Sequence, residues 1–180
     1  MAVLIEAISV VIRADALLAA FSNDREAFKR TVPNATLCAD GELVRVGFMT
    51  PNDVGHYVEA LEARGLRSVE NARAKDIVVV DQLRGPTVAC DWVEFGHISL
   101  DGDGSKRVAA CRLAGSTSRT LVKPEGWRYE RSLSSNYGFS PNEAGGRGLR
   151  FLRHENGLDV YWSELSGKEV YVGRTSQRAE

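Results

Sequence analysis

"MAVLIEAISVVI", residues 1–12, is the stretch on which the fold turns. Val3 to Ile12 is rich in Val and Ile and apolar on both faces, the pattern of a central strand covered on two sides. Only Glu6 interrupts it. The stretch reads as a buried strand and not as a secretory leader. No basic segment precedes the apolar run, and no small-residue cleavage pattern follows before Arg13 and Asp15.

Outward from that strand, Ala14 to Phe21 predicts a short helix, with Asp15 placing negative charge in its first turn. Asn23 or Asp24 can cap a second piece, "REAFKRTV", which Pro33 closes. The two pieces form either one bent helix or a helical pair. Asp40-Gly41 is a turn signal between extended segments, and Glu42 to Met49 is a strand. "TPNDVGHYVEALEARG" carries the clearest helix. Thr50 suits the N-cap, Pro51 the first helical position and Asp53 the positive helix end, and Gly65 can end it in a left-handed conformation. Val54, Tyr57, Val58 and Leu61 recur at helical spacing as its buried stripe. Leu66 to Val69 and Ile77 to Asp81 are extended. Any parallel neighbours among these strands, joined through a helix, require a right-handed connection.

From residue 92 the pattern changes to hairpins. "DWVEFGHISL", "DGDGSK" and "RVAACRLAG" read as strand, turn and strand. Residues 116–148 are irregular. "LRFLRHE", "LDVYW" and "KEVYVG" then predict a three-strand meander with turns at Asn156-Gly157 and Ser166-Gly167. The fold class that follows is α+β: a mixed sheet with two or three helices on one face, followed by C-terminal antiparallel β-hairpins. The 180 residues suit one domain over 1–180, with a division into subdomains 1–115 and 116–180 as the alternative.

The chain is 43% hydrophobic and 26% charged, as expected of a soluble globular protein that supports a core without metals or disulfides. A net charge of -1 gives no whole-molecule attraction to nucleic acid or to an anionic membrane. No run approaches the ~20 apolar residues of a membrane span. Cys38, Cys90 and Cys111 are far apart and odd in number, which points away from a disulfide framework and toward the cytoplasm.

Two regions carry candidate site residues. In "VVVDQLRGPTVACDWVEFG", residues 78–96, Asp81 and Gln82 end an apolar strand, where ligands meet open sheets. Together with Arg84, Cys90, Asp91 and Trp92 they could frame a polar pocket with an aromatic wall. The plainer reading has Asp81 accepting backbone hydrogen bonds from a turn at Gly85-Pro86. Cys90 as a nucleophile needs a lowered pKa, and His97 lies about 17 Å along an extended strand from its start, out of local reach. The second region is "GWRYERSLSSNYGF", where Trp127, Arg128, Tyr129 and Arg131 interleave aromatic and cationic side chains outside any strand pattern.

Other constellations fail on spacing. The three histidines are isolated, so no metal site is expected. "DGDGSKRVAACR" opens like a calcium loop but puts Lys106 where the loop needs glycine and Arg112 where it needs glutamate. "AGGRG", residues 144–148, lacks the Lys-Ser/Thr of a phosphate loop and reads as a flexible link. Glu59 and Glu62 share a solvated helix face, and no GxSxG elbow exists. No cofactor is implied.

The expected function is therefore non-catalytic binding or interaction, of a regulatory or partner-neutralising kind, with a protein partner at Trp127, Arg128 and Tyr129. The alternative is a small enzyme or ligand-binding domain with its pocket at the end of the 77–81 strand, where Asp81, Arg84 and Cys90 would act. A small-molecule ligand and self-association stay open, whereas nucleic acid and membrane are not expected partners.

Overall fold

The computed structural model describes residues 1–136, 149–155, 158–163 and 168–173. The opening stretch is two strands and not one: β1 (Ala2–Ile5) and β2 (Ile8–Arg13). They belong to different sheets. The expected single central strand breaks at Glu6-Ala7, where Ala7 adopts a left-handed φ of 47°. The physical reason is Glu6. A carboxylate inside a strand covered on both faces would be desolvated at high cost, and the break leaves it half-exposed instead.

After β2 come α1 (Ala14–Ala20) and α2 (Arg25–Lys29), a helical pair, the second capped by Asp24 Oδ1, which accepts from Ala27 N at 2.9 Å. The hairpin of β3 (Cys38–Ala39) and β4 (Leu43–Phe48) turns at Gly41, whose φ is 95°. Asp40 Oδ1 closes that turn by accepting from Glu42 N and Leu43 N. Helix α3 (Pro51–Glu62) starts as its sequence requires, with Thr50 Oγ1 accepting from Asp53 N at 3.2 Å. It buries Val54, Tyr57 and Leu61. A small hairpin, β5 (Val69–Glu70) with β6 (Arg73–Ala74), leads to β7 (Ile77–Asp81) and the two-residue β8 (Gly85–Pro86). Gly85-Pro86 is thus paired with β7 and is not the turn itself, which lies over residues 82–84.

β9 (Val93–Leu100) and β10 (Asp103–Leu113) form the expected hairpin. Asp101 and Gly102 both have positive φ, 51° and 73°, as a two-residue hairpin turn requires. β11 (Leu121–Val122) runs parallel beside β1. A 3-10 turn, Tyr129–Arg131, and α4 (Leu133–Asn136) follow. The C-terminal meander is β12 (Leu149–Glu155), β13 (Leu158–Ser163) and β14 (Lys168–Gly173), antiparallel throughout. Its two expected turns lie outside the described residues, as does the link at 144–148.

The five-stranded sheet has the order β3-β4-β2-β7-β8 and the four-stranded sheet β11-β1-β10-β9. The order makes β2 the centre of the first and β1 an interior strand of the second. β2 pairs antiparallel with both β4 and β7, so the handedness rule for parallel crossovers does not come into play. Helices α1, α2 and α3 cover one face of the five-stranded sheet through Ile8, Val10, Ile12, Leu17, Phe28, Val46 and Leu61, all buried. The other face meets the four-stranded sheet through Val3, Ile5, Val11, Leu43, Val78, Val80 and Ala109. Each such fully buried aliphatic side chain contributes roughly 1.5–3 kcal/mol. The fold is an α+β architecture with a helical layer, two sheets and a C-terminal meander.

Candidate functional site at the strand-switch corner

The break between β1 and β2 gathers side chains from the whole length of the fold. Glu6 Oε1 accepts from Ser134 N at 3.1 Å and from Ser134 Oγ at 2.8 Å, and its Oε2 accepts from Trp127 Nε1 at 3.1 Å. The next residue is held from the other side. Ala7 N donates to Gln82 Oε1 at 2.8 Å, and Gln82 N donates back to the Ala7 carbonyl at 2.9 Å. Two hydrogen bonds from one buried glutamine fix the strained Ala7 in its left-handed conformation. Asp81 Oδ1 accepts from Leu83 N and Arg84 N, at 2.8 and 3.0 Å, and so shapes the turn that presents Gln82. Arg84 points to solvent.

Behind the corner lies Arg45, only 2% exposed, on the face of β4 that looks into the space between the sheets. Its Nε donates to Ser9 Oγ at 2.9 Å, its Nη1 to the Thr36 carbonyl at 3.1 Å and its Nη2 to the Glu6 carbonyl at 3.1 Å. Among the described residues no carboxylate forms an ion pair with it. Burial draws its pKa down, and the charge of Glu6 acts in the opposite sense. Glu6 therefore serves twice: its carbonyl takes the guanidinium and its carboxylate takes the strap of residues 123–136. Room for the guanidinium comes from Gly47, where an added Cβ would sit 2.4 Å from Arg45 Nη2.

The strap carries an aromatic pair. The Trp127 and Tyr129 rings meet edge-on, with centroids 6.4 Å apart. Lys123 Nζ lies 5.2 Å from the Trp127 centroid, and Lys106 Nζ lies 5.8 Å from that of Tyr129, within the range of cation–π attraction. Ser132 Oγ donates to the Tyr129 carbonyl at 2.7 Å and accepts from Ser135 N at 3.2 Å, which ties the 3-10 turn to α4. Arg128 and Arg131 are exposed on either side of Tyr129. Lys106 also pairs with Glu130 at 3.2 Å.

The structure thus brings Gln82 and Trp127 to two consecutive residues, Ala7 and Glu6, with Asp81 shaping the turn that holds Gln82 and Tyr129 edge-on to Trp127, while Arg128 and Arg131 lie exposed on the strap. Cys90, Asp91 and Trp92 sit elsewhere. Ala89 accepts from Ala74 N, Trp92 Nε1 donates to the Ala74 carbonyl at 3.2 Å, and Asp91 pairs with Arg73. Ala74 precedes β7 and Asp81 ends it, so the two groups flank opposite ends of that strand. They do not frame one pocket. Cys90 is half-buried against the inter-sheet core, and burial pushes its thiol pKa up, opposite to what a nucleophile needs. Burial also raises Cys38 and Cys111. His97 has its pKa lowered by burial, against a hydrogen bond with the Gln82 backbone that raises it. Among the described residues, no three His, Cys, Asp or Glu side chains are placed to hold a metal ion.

Glu6, Arg45 and Ser134 are the residues that sequence reasoning passed over. Two of them left a trace: a carboxylate inside an apolar run, and a lone arginine in "LVRVGF" whose neighbours are all buried. Ser134 left none, since its role depends on a fold contact 128 positions away. Comparison of the chain with family models, curated proteins and solved structures gives no match. No described helix is long and apolar enough to cross a membrane.

Proposed function

We propose that this is a non-catalytic binding protein whose contact surface is the strap at Lys123, Trp127, Arg128, Tyr129 and Arg131. One observation carries the reading: the Trp127 indole is anchored from behind by Glu6 while its ring stays only half-buried beside Tyr129. Fixed aromatic side chains with cationic neighbours lose little freedom on association, which is the hallmark of energetic hot spots. The free thiols of Cys38, Cys90 and Cys111 fit a reducing compartment, and we place the protein in the cytoplasm.

Affinity capture tests the assignment by comparing the wild-type chain with Trp127→Ala/Arg128→Ala and with Asp91→Ala. The expected result is a stoichiometric protein partner lost from the first variant and kept by the second. A partner retained equally by both variants would remove the strap from consideration. A stoichiometric small molecule carried by both, with no protein, would favour a ligand-binding protein.

A further inference from the structure

We propose that the strap binds an acidic peptide segment of its partner protein, an inference that rests on the binding reading above. The charges around the aromatic pair are uneven. Lys106, Lys123, Arg128 and Arg131 stand against Glu6, Glu125 and Glu130, and with Lys106 paired to Glu130 the exposed cations are Lys123, Arg128 and Arg131, on a chain whose net charge is -1. Arg128 and Arg131 are exposed, and Arg131 forms no ion pair among the described residues. A guanidinium offers a planar fork that a carboxylate fills with two parallel hydrogen bonds. Lys123 holds positive charge over the Trp127 ring and Lys106, paired with Glu130, over that of Tyr129, so a carboxylate approaching the Trp127 side of that surface meets a further cation.

Three features favour a peptide over single-stranded nucleic acid. Bases stack on open ring faces, and here a lysine ammonium lies over one face of each ring. Glu125 and Glu130 are exposed within the patch, where a continuous phosphate backbone would be repelled. The Trp127 N–H is committed to Glu6 and is not available to read a base edge. A peptide can place its carboxylates opposite Arg128 and Arg131 and leave the space near the two glutamates uncharged.

The test uses a fluorescent peptide alternating Glu and Ser, the same peptide with Gln for Glu, and oligothymidine. The Glu peptide binds, the Gln peptide does not, and affinity falls several-fold as salt rises from about 50 to about 200 mM. Arg128→Ser/Arg131→Ser weakens the Glu peptide at least about tenfold. Both arginines are exposed, so this variant keeps the fold. Equal binding of Glu and Gln peptides, or no loss in the double variant, overturns the inference. Tighter binding of oligothymidine overturns it in favour of nucleic acid. A captured partner that depends on Trp127 and is not displaced by the Glu peptide leaves the binding reading standing and removes only the acidic class.

Discussion

Strand β2 sends Ile8, Val10 and Ile12 into the helix-covered layer and Ser9 and Val11 into the space between the two sheets. β4 repeats the division, with Val44, Val46 and Phe48 on one side and Leu43, Arg45 and Gly47 on the other. The helix-covered layer is aliphatic and aromatic. The inter-sheet layer holds a buried guanidinium, a serine and two thiols. The contrast teaches that the two interiors have different tasks. The first stabilises by volume and area. The second spends part of its volume on hydrogen bonds that fix where the chain changes sheets, and through Glu6 where the strap lies.

The largest expected effect comes from Arg45→Ala, which would take the guanidinium donors from Ser9 Oγ and from the carbonyls of Glu6 and Thr36, leaving the first two only the hydrogen bond they share. At roughly 1.5–3 kcal/mol for each hydrogen bond to a charged group, a loss of about 4 kcal/mol follows. Val46→Ala, one residue on and on the helix side, should cost about 2 kcal/mol. Denaturant unfolding of both variants compares the layers directly, and equal costs would break the contrast.

Glu6→Ala sharpens it. Removing the acceptor of three hydrogen bonds should cost about 2 kcal/mol and raise amide exchange across residues 127–136. Amides of Val10 and Val46 should stay protected. Exchange that rises equally in β2 and β4 would show that the strap and the sheets open as one unit.

Thr50→Ala should cost about 1 kcal/mol through the lost N-cap of α3 and leave the strap untouched. The difference in Trp emission between chains with Trp127 and with Trp127→Phe isolates Trp127 from Trp92 and Trp162, and a changed Trp127 contribution in the Thr50 variant would contradict the separation of the two regions.

The smallest effects are titrations of opposite sign, one in each layer. Burial pushes the Tyr57 phenol, in the helical layer, up to about 12. Its raised folded-state value means that its stabilisation is full below the ordinary tyrosine value of about 10 and is lost as pH rises through about 12. Tyr57→Phe should remove that alkaline step from unfolding curves. His97 has its pKa lowered, so its contribution is full above about 6.5 and is lost as pH falls through the lower folded-state value. His97→Gln should flatten the acid limb.

Much of the fold is legible in the residues themselves. The start of α3 at Thr50-Pro51, the turns at Gly41 and Asp101-Gly102 and the meander all rest on local chemistry that acts over a few residues. The break at Glu6 is not local. Ala7 accepts a left-handed φ because Gln82, far along the chain, holds it there. For the same reason the two candidate regions read separately in the sequence, although Asp81-Gln82 and Trp127 meet on Ala7 and Glu6. Cys90 to Trp92, adjacent to Asp81 in sequence, are carried to the other end of β7 by the short return through β8.

The break at Glu6-Ala7 also sets a timetable for synthesis. Val10 finds Val46 and Val79, so the five-stranded sheet can close once β8 has been made. Val3 and Ile5 must wait for Cys111 and Ala109. At about 5–20 residues per second, that interval lasts on the order of one to five seconds. During it, β1 hangs as an unpaired apolar strand from a sheet that is already formed, which is the moment when a nascent chain is most open to mispairing with another copy or to capture by a chaperone.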